Sequence, residues 1–140
     1  MKAVIDTNQL LRLAAAYQRS PLFAAWRVGR FEIVVSEEIM AELYDVARRS
    51  KVSRFLAEAY FHQFIFFLQA WAIAVVPVTE FPHCRDPKDD MIIATAVAAQ
   101  ADFIVTTDND FLDDRVLRTR LQNEFNIRVA QPAEFLVALG

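Results

Sequence analysis

Glycine is nearly absent: Gly29 and Gly140 are the only two in 140 residues. A dinucleotide-binding fingerprint needs three glycines after a strand, and a Walker-type phosphate loop needs two ahead of a lysine. Neither can be built from this chain. Cysteine is scarcer still. Cys84 stands alone, which excludes a disulfide framework and a cysteine-based zinc site and fits a reducing cytosol. Positive charge is also lacking: the net charge of −3 is not that of a protein that wraps nucleic acid by bulk charge, and leaves only local basic patches for that purpose. Met1-Lys2-Ala3 leads into a short apolar run that ends at Asp6, so the expectation is no signal peptide and a cytoplasmic location. From Ala59 to Thr79 no residue is formally charged, about the length of a membrane span. Yet His62, Gln63 and Gln69 interrupt that stretch and Pro77 closes it, so it reads as a buried helix feeding a buried strand.

What the chain does have is apolar surface. Hydrophobic residues make up 55% and charged residues 24%, enough for a real core and too apolar for disorder. The length suits one domain over residues 1–140. Short β-branched runs at Ala3–Ile5, Glu32–Val35, Ala72–Val76, Phe103–Thr106 and Ile127–Val129 read as strands. Between them lie helical stretches at Gln9–Tyr17, Pro21–Val28, Glu37–Arg49, Ser53–Leu68, Pro87–Gln100 and Asp114–Phe125, with a last helix over Pro132–Leu139. This alternation predicts an α/β fold, a parallel sheet of about five strands covered by helices on both faces.

Eighteen acids are ordinary in number; their positions are not. Asp6 ends the first strand in KAVIDTN, and Asp108 follows a later one in FIVTTDND, with Asp110 two residues on. In a parallel sheet both strands deliver their acids to the same carboxyl edge, where open α/β sheets place ligand sites. Either acid alone is explained by capping the next helix or turn; the pair is not. In SEEIMAELYDV, Ile39, Leu43 and Val46 form a core-facing stripe and Glu42 falls within it. Glu42 therefore faces inward, or lies at the stripe's edge paired with an arginine. Glu37 and Glu38 behind Ser36 are accounted for by capping and the helix dipole. In RDPKDDMIIATAVAAQ, Asp86 reads as an N-cap with proline at N1, and Asp89 occupies a capping-box position. Asp90 shares a stripe with Ile93, Ala94 and Val97, which favours it as the inward carboxylate over Asp89, the reserve choice.

Asp6, Glu42, Asp90 and Asp108 thus converge on one side of one sheet. At ~4 Å and an effective dielectric near ~20, each like-charge pair repels by roughly 4 kcal/mol, so protons or cations must offset the crowding. Oxygen donors with no cysteine, and with His62 and His83 poorly placed, suit a hard divalent ion such as Mg²⁺ or Mn²⁺. A carboxylate-held hard metal is the usual equipment for phosphodiester hydrolysis.

VIDTN, the Glu after SEE, RDPKDDMIIATA and FIVTTDNDF together resemble the PIN-domain ribonucleases, and among them the VapC-like toxin components of bacterial and archaeal toxin–antitoxin pairs. The likeness covers nearly the whole chain, including the closing QPAEFL. It implies a three-layer α/β/α sandwich and Mg²⁺- or Mn²⁺-dependent cleavage of single-stranded RNA. By the same resemblance Asp6, Glu42, Asp90 and Asp108 are the catalytic, metal-binding acids and Asp110 an auxiliary metal ligand. Asn8 and Thr106 orient the site, with Asp89 supporting it. The resemblance also implies a homodimer silenced by a cognate antitoxin protein.

Twelve of the fifteen basic residues are arginines, a side chain suited to phosphate and base stacking. Arg12, Arg85 and Lys88 are the leading candidates for an RNA-binding rim, with Arg19, Arg27, Arg30, Arg48, Arg49, Lys51 and Arg54 behind them. The helix AYFHQFIFFLQAW carries more large apolar residues than one face needs, which points to core plus a homodimer contact, or to a groove for an antitoxin helix. Three rival functions fit the residues less well. An aspartyl phosphotransferase wants an acid where Asn8 stands, and a receiver-like domain wants a lysine on a late strand that is absent. A catalytically silent binding module with the same fold is opposed by the presence of all four candidate acids.

Overall fold

The computed structural model describes residues 1–49 and 56–140. Five short strands, β1 (Lys2–Ile5), β2 (Glu32–Val35), β3 (Ile73–Ala74), β4 (Phe103–Val105) and β5 (Arg128–Ala130), form one sheet in the order β3-β2-β1-β4-β5. Every pairing is parallel. Such a sheet must be apolar on both faces, and KAVI, EIVV and FIV are buried almost throughout. The helices are α1 (Thr7–Ala16), α2 (Pro21–Arg27), α3 (Glu37–Ala47), α4 (Glu58–Trp71), α5 (Asp90–Ala99), α6 (Asn109–Leu112), α7 (Arg115–Phe125) and α8 (Pro132–Leu139). The expected α/β class with five parallel strands flanked by helices is the observed one.

The strand order carries the functional consequence. From β1 the chain winds outward through β2 to β3, then crosses back by way of α5 to β4 on the other side of β1. Crossovers of one hand land on opposite faces when the direction of travel reverses, so a crevice opens between β1 and β4 at their carboxyl ends. Ile5 is in register with Val105, and the Asp6 amide donates to the Val105 carbonyl at 3.0 Å. The residues that follow the two strands are therefore neighbours by construction.

Local chemistry sets the helix starts. Ser36 caps α3 by accepting from the Ile39 amide, and the buried Thr95 hydroxyl of α5 donates to the same Ser36 oxygen at 3.0 Å. That bond ties the two helices that flank the crevice. Below it the core is built from Phe31, Phe103 and Phe135, whose rings meet edge to face at 4.9 and 5.0 Å.

Several boundaries differ from the sequence reading. β3 keeps two of the five expected residues because it is an edge strand paired only to β2, with Pro77 close behind. The helix expected from Ser53 begins, among the described residues, at Glu58; positions 50–55 lie outside them. The stretch read as one helix from Pro87 starts instead as a tight 3₁₀ turn over Pro87–Asp89, and α5 proper begins at Asp90. Among the described residues no helix is long and apolar enough to cross a membrane.

Candidate metal centre

Asp6 and Asp108 leave β1 and β4 at the crevice. Asp6 is 7% exposed and does not cap α1; its Oδ2 accepts the Thr106 hydroxyl at 2.8 Å. The Thr106 oxygen in turn accepts from the Asp108 amide at 3.0 Å. Thr106 therefore fixes the orientation of one acid through its hydroxyl and the backbone of the other through its oxygen. Asp108 does cap α6, accepting from the Asp110 amide at 2.9 Å.

The third acid in the crevice is Asp89. Asp6, Asp89 and Asp108 each offer a carboxylate oxygen within 4.8 Å of the others. Asp90, favoured from the sequence, is not among them. It turns away, accepting from His83 Nδ1 at 2.9 Å and from the Cys84 amide at 2.7 Å. The reversal has two physical causes. DMIIATAVAA is apolar on nearly every side, so periodicity alone does not choose a stripe: Ile92, Ile93, Ala94, Thr95 and Ala96 are all buried, whereas Val97 is only partly so. Asp89 precedes Ile92, Ile93 and Ala96 by three, four and seven residues, which places it on an equally buried stripe. The 3₁₀ turn also breaks the capping-box geometry that gave Asp89 a structural purpose.

Glu42 is half-buried at the crevice wall, outside the tight trio, and accepts the Thr7 hydroxyl at 3.2 Å; no arginine pairs with it among the described residues. Asn8 and Lys88 line the same cleft of about 590 Å³ together with Asp6, Thr7, Glu42, Asp86, Asp89 and Asp108. Arg49, a secondary candidate, lines it as well. Arg12 is exposed on α1 and not part of the lining. Arg85 approaches from the outer side, its Nε 4.0 Å from Asp110 Oδ1 and its terminal nitrogen donating to the Asn109 carbonyl at 3.2 Å. Lys51 and Arg54 lie outside the described residues. Asp86 has the capping role expected of it, accepting from the Lys88 amide at 3.0 Å. Its place in the cleft is one the sequence reading misses. The signal that could have found it is its spacing of three from Asp89 on a 3₁₀ turn, where residues i and i+3 eclipse.

The electrostatics of the trio are unfavourable as it stands. Burial pushes the Asp6 carboxyl above its ordinary range, and the nearby charges of Asp108 and Glu42 push the same way. Asp89 is raised further, to about 8, by burial first and then by the charges of Asp6 and Asp108. It is 8% exposed, and its buried Oδ2 has no hydrogen-bond partner among the described residues. An orphaned buried carboxylate oxygen is costly. Oxygen ligands on opposite sides of a Mg²⁺ ion lie about 4.2 Å apart, so three oxygens within 4.8 Å need little adjustment to hold one. The donor set fits a hard divalent cation, which would supply the missing partner.

The sequence matches the PIN domain over residues 2–110. The chain belongs to the PIN domain family. A solved structure similar to this PIN domain is VapBC2 from Rickettsia felis bound to a DNA fragment from their promoter, with 14% identity, a TM-score of 0.49, and coverage of 92% of this chain and 97% of that one. No curated protein matches the chain.

A raised carboxyl pKa binds protons that the unfolded chain releases. Metal-free stability of this PIN domain therefore falls as pH rises from about 4, the unfolded value, through about 8, the folded value of Asp89. Thermal unfolding in EDTA across that interval should show the decline. Mg²⁺ or Mn²⁺ should reverse it at the alkaline end, and Asp89→Asn should flatten it and abolish the metal effect. A metal-free melting temperature independent of pH above about 5 would contradict the assignment.

Proposed function

We propose that this PIN domain is a Mg²⁺- or Mn²⁺-dependent endoribonuclease that hydrolyses single-stranded RNA, and that it is the toxin of a toxin–antitoxin pair. The observation that carries the proposal is the buried, unpartnered Asp89 oxygen held against Asp6 and Asp108 at the topological switch point. Family membership supports a nuclease reading, and the VIDTN, RDPKDDMIIATA and FIVTTDNDF segments support the toxin branch of the family.

When bound, a divalent cation at such a centre supplies activation of water and stabilisation of charge on the attacking and leaving oxygens of a phosphodiester. Asp6, Asp89 and Asp108 are the proposed ligands, and Asp89 replaces Asp90 in that role. Thr106 keeps the Asp6 and Asp108 groups in place through its two hydrogen bonds. Glu42, steadied by Thr7, stands across the cleft where it can accept a proton from water or hold a water molecule in position. Asn8, Lys88 and Arg49 line the approach; Lys88 and Arg49 supply the positive charge that draws an RNA phosphate into an otherwise acidic cleft. No protein nucleophile is required.

A second reading, a silent PIN-like module that binds RNA or protein without turnover, is separated by the same assay. Unstructured RNA incubated with Mn²⁺ should be cut and EDTA should stop the reaction. Asp6→Asn and Asp89→Asn should each lose at least ~100-fold in rate, the scale seen when a charge-stabilising group is removed, whereas Asp90→Asn should stay within a few fold. Metal-independent cleavage, or an Asp90→Asn loss equal to that of Asp89→Asn, would overturn the assignment.

For partners, we propose a homodimer built on α4. Tyr60, Phe66 and Trp71 stand exposed on that helix, continuous with Tyr17 and Phe67, on which Tyr60 and Trp71 stack, and with Trp26, which meets Trp71 edge to face. Exposed aromatic clusters of this kind are typical of interface cores. A cognate antitoxin is the further partner of a toxin. Sedimentation at micromolar concentration should give twice the chain mass, and Phe66→Glu should halve it; a wild-type monomer would count against the dimer.

A further inference from the structure

β5 is an edge strand, paired only to β4, and α7 and α8 flank it. Between the two helices and the strand lies a cavity of about 500 Å³ that shares no lining residue with the acid cleft. Its chemistry is the opposite of the cleft's. The Arg128 guanidinium lies over the Phe103 ring, 4.4 Å from the centroid, and that ring is buried. The core thus covers one face of the guanidinium, while Arg128 itself stays exposed. A second guanidinium is clamped in the wall: Arg118 donates to the Leu112 and Val129 carbonyls, each at 3.0 Å. The backbone bonds of Arg128 and Ala130 run to β4, so the Val129 carbonyl is the one turned to the open edge. Arg118 occupies it, which blunts the edge against a further strand and leaves the cavity to a smaller occupant. Thr119, Gln122 and Asn123, all exposed on α7, complete the wall.

We propose that this cavity binds a nucleotide, with the base stacked on Arg128 and the phosphate held by Arg118 and Thr119. Charge sets the sign of the occupant. Among the described residues neither arginine lies within ion-pair distance of a carboxylate, although the whole chain carries a net charge of −3. The one acid in the lining, Glu134, is engaged in capping α8, where it accepts from the Gln131 amide at 3.3 Å. Shape sets the kind of anion. A guanidinium plane stacks on a base and grips phosphate through its forked donors, whereas a bare phosphate would leave the open face of Arg128 unused. The volume falls within the about 300–1,000 Å³ of small-molecule sites. The side-chain amides supply donors and acceptors for a base edge: Gln122 spends a donor on Asn126 Oδ1 at 3.1 Å and keeps its own oxygen. The nucleotide is either free or one unit of an RNA strand. In the second case the inference rests on the ribonuclease reading and deepens it, because an acidic cleft gains from a second grip on its substrate away from the cleavage point.

¹⁵N NMR of the full chain in EDTA, where metal-dependent cleavage is stopped, follows the Thr119, Gln122 and Asn123 amides directly. Adenosine monophosphate should shift them saturably, and ribose phosphate or inorganic phosphate should do so far more weakly. Arg128→Gln should weaken adenosine monophosphate at least about tenfold, the scale of one lost base stack. Arg128→Lys, which keeps the charge without the planar face, should lose as much, and it decides the matter if Arg128→Gln fails to fold. An oligoadenylate RNA of about ten nucleotides, within the reach of a single-strand site, separates the two sources. Shifts of the same amides at lower concentration, lost in the Arg128 variants, assign the pocket to the strand. A response to the mononucleotide alone supports the pocket and assigns it to free nucleotides. Inorganic phosphate as effective as the nucleotide, full affinity in Arg128→Lys, or no shift with any probe overturns the proposal. Saturable shifts in a chain that fails to cut RNA with Mn²⁺ support the pocket and contradict the ribonuclease reading; cleavage without any shift does the reverse.

Discussion

Carboxylates forced together where two parallel strands end are the constraint on which the rest depends. β1 and β4 are adjacent, parallel and in register, so the residues that follow them have no freedom to avoid each other. Placing an acid after each strand, and a third at the turn that opens α5, sets up repulsion of several kcal/mol per pair at these separations. Among the described residues no arginine or lysine forms an ion pair with the inner trio to relieve it. The protein leaves Asp89 buried, with one oxygen unpartnered and a carboxyl pushed up to about 8. Among the described residues that oxygen is the one buried side-chain oxygen without a partner, and a local violation of this kind is characteristic of a site built for something it must bind.

The remainder of the fold holds this arrangement rigid. Hydroxyl groups do most of the local positioning. Thr106 spans Asp6 and the Asp108 backbone, Thr7 steadies Glu42, and Ser36 with Thr95 fixes α3 against α5. Each is small, and each leaves the carboxylate oxygens free on their remaining sides. Around them the phenylalanine core and the short buried strands give a sheet with little room to flex. Carboxylates set on strand ends and helix starts, rather than on long loops, are the more accurately held.

Much of this is legible in the amino-acid order. Alternating short strands and helices point to the α/β class, and strand-end acids in VIDTN and TTDND locate the crevice through topology alone. Where the reading fails, periodicity has lost its power to discriminate. Around Met91–Ala99 almost every position is apolar, so Asp89 and Asp90 each lie on a plausible inward stripe. A three-residue 3₁₀ turn, invisible to a search for helical periods, decides between them. Asp86 escapes notice for a different reason: a satisfactory capping role hides a second place in the cleft. Glu42 lines the cleft, yet its position at the wall rather than in the trio depends on how α3 leans against α1, which no local pattern encodes.

The most direct measurement is the carboxyl ¹³C resonance of Asp89 followed through a pH titration of the metal-free protein and again with saturating Mg²⁺. A buried acid awaiting a cation predicts a midpoint several units above that of an ordinary aspartate in the first experiment, and an ionised carboxylate down to far lower pH in the second. A midpoint near ~4, the ordinary aspartate value, in the absence of metal and unmoved by Mg²⁺ would contradict it.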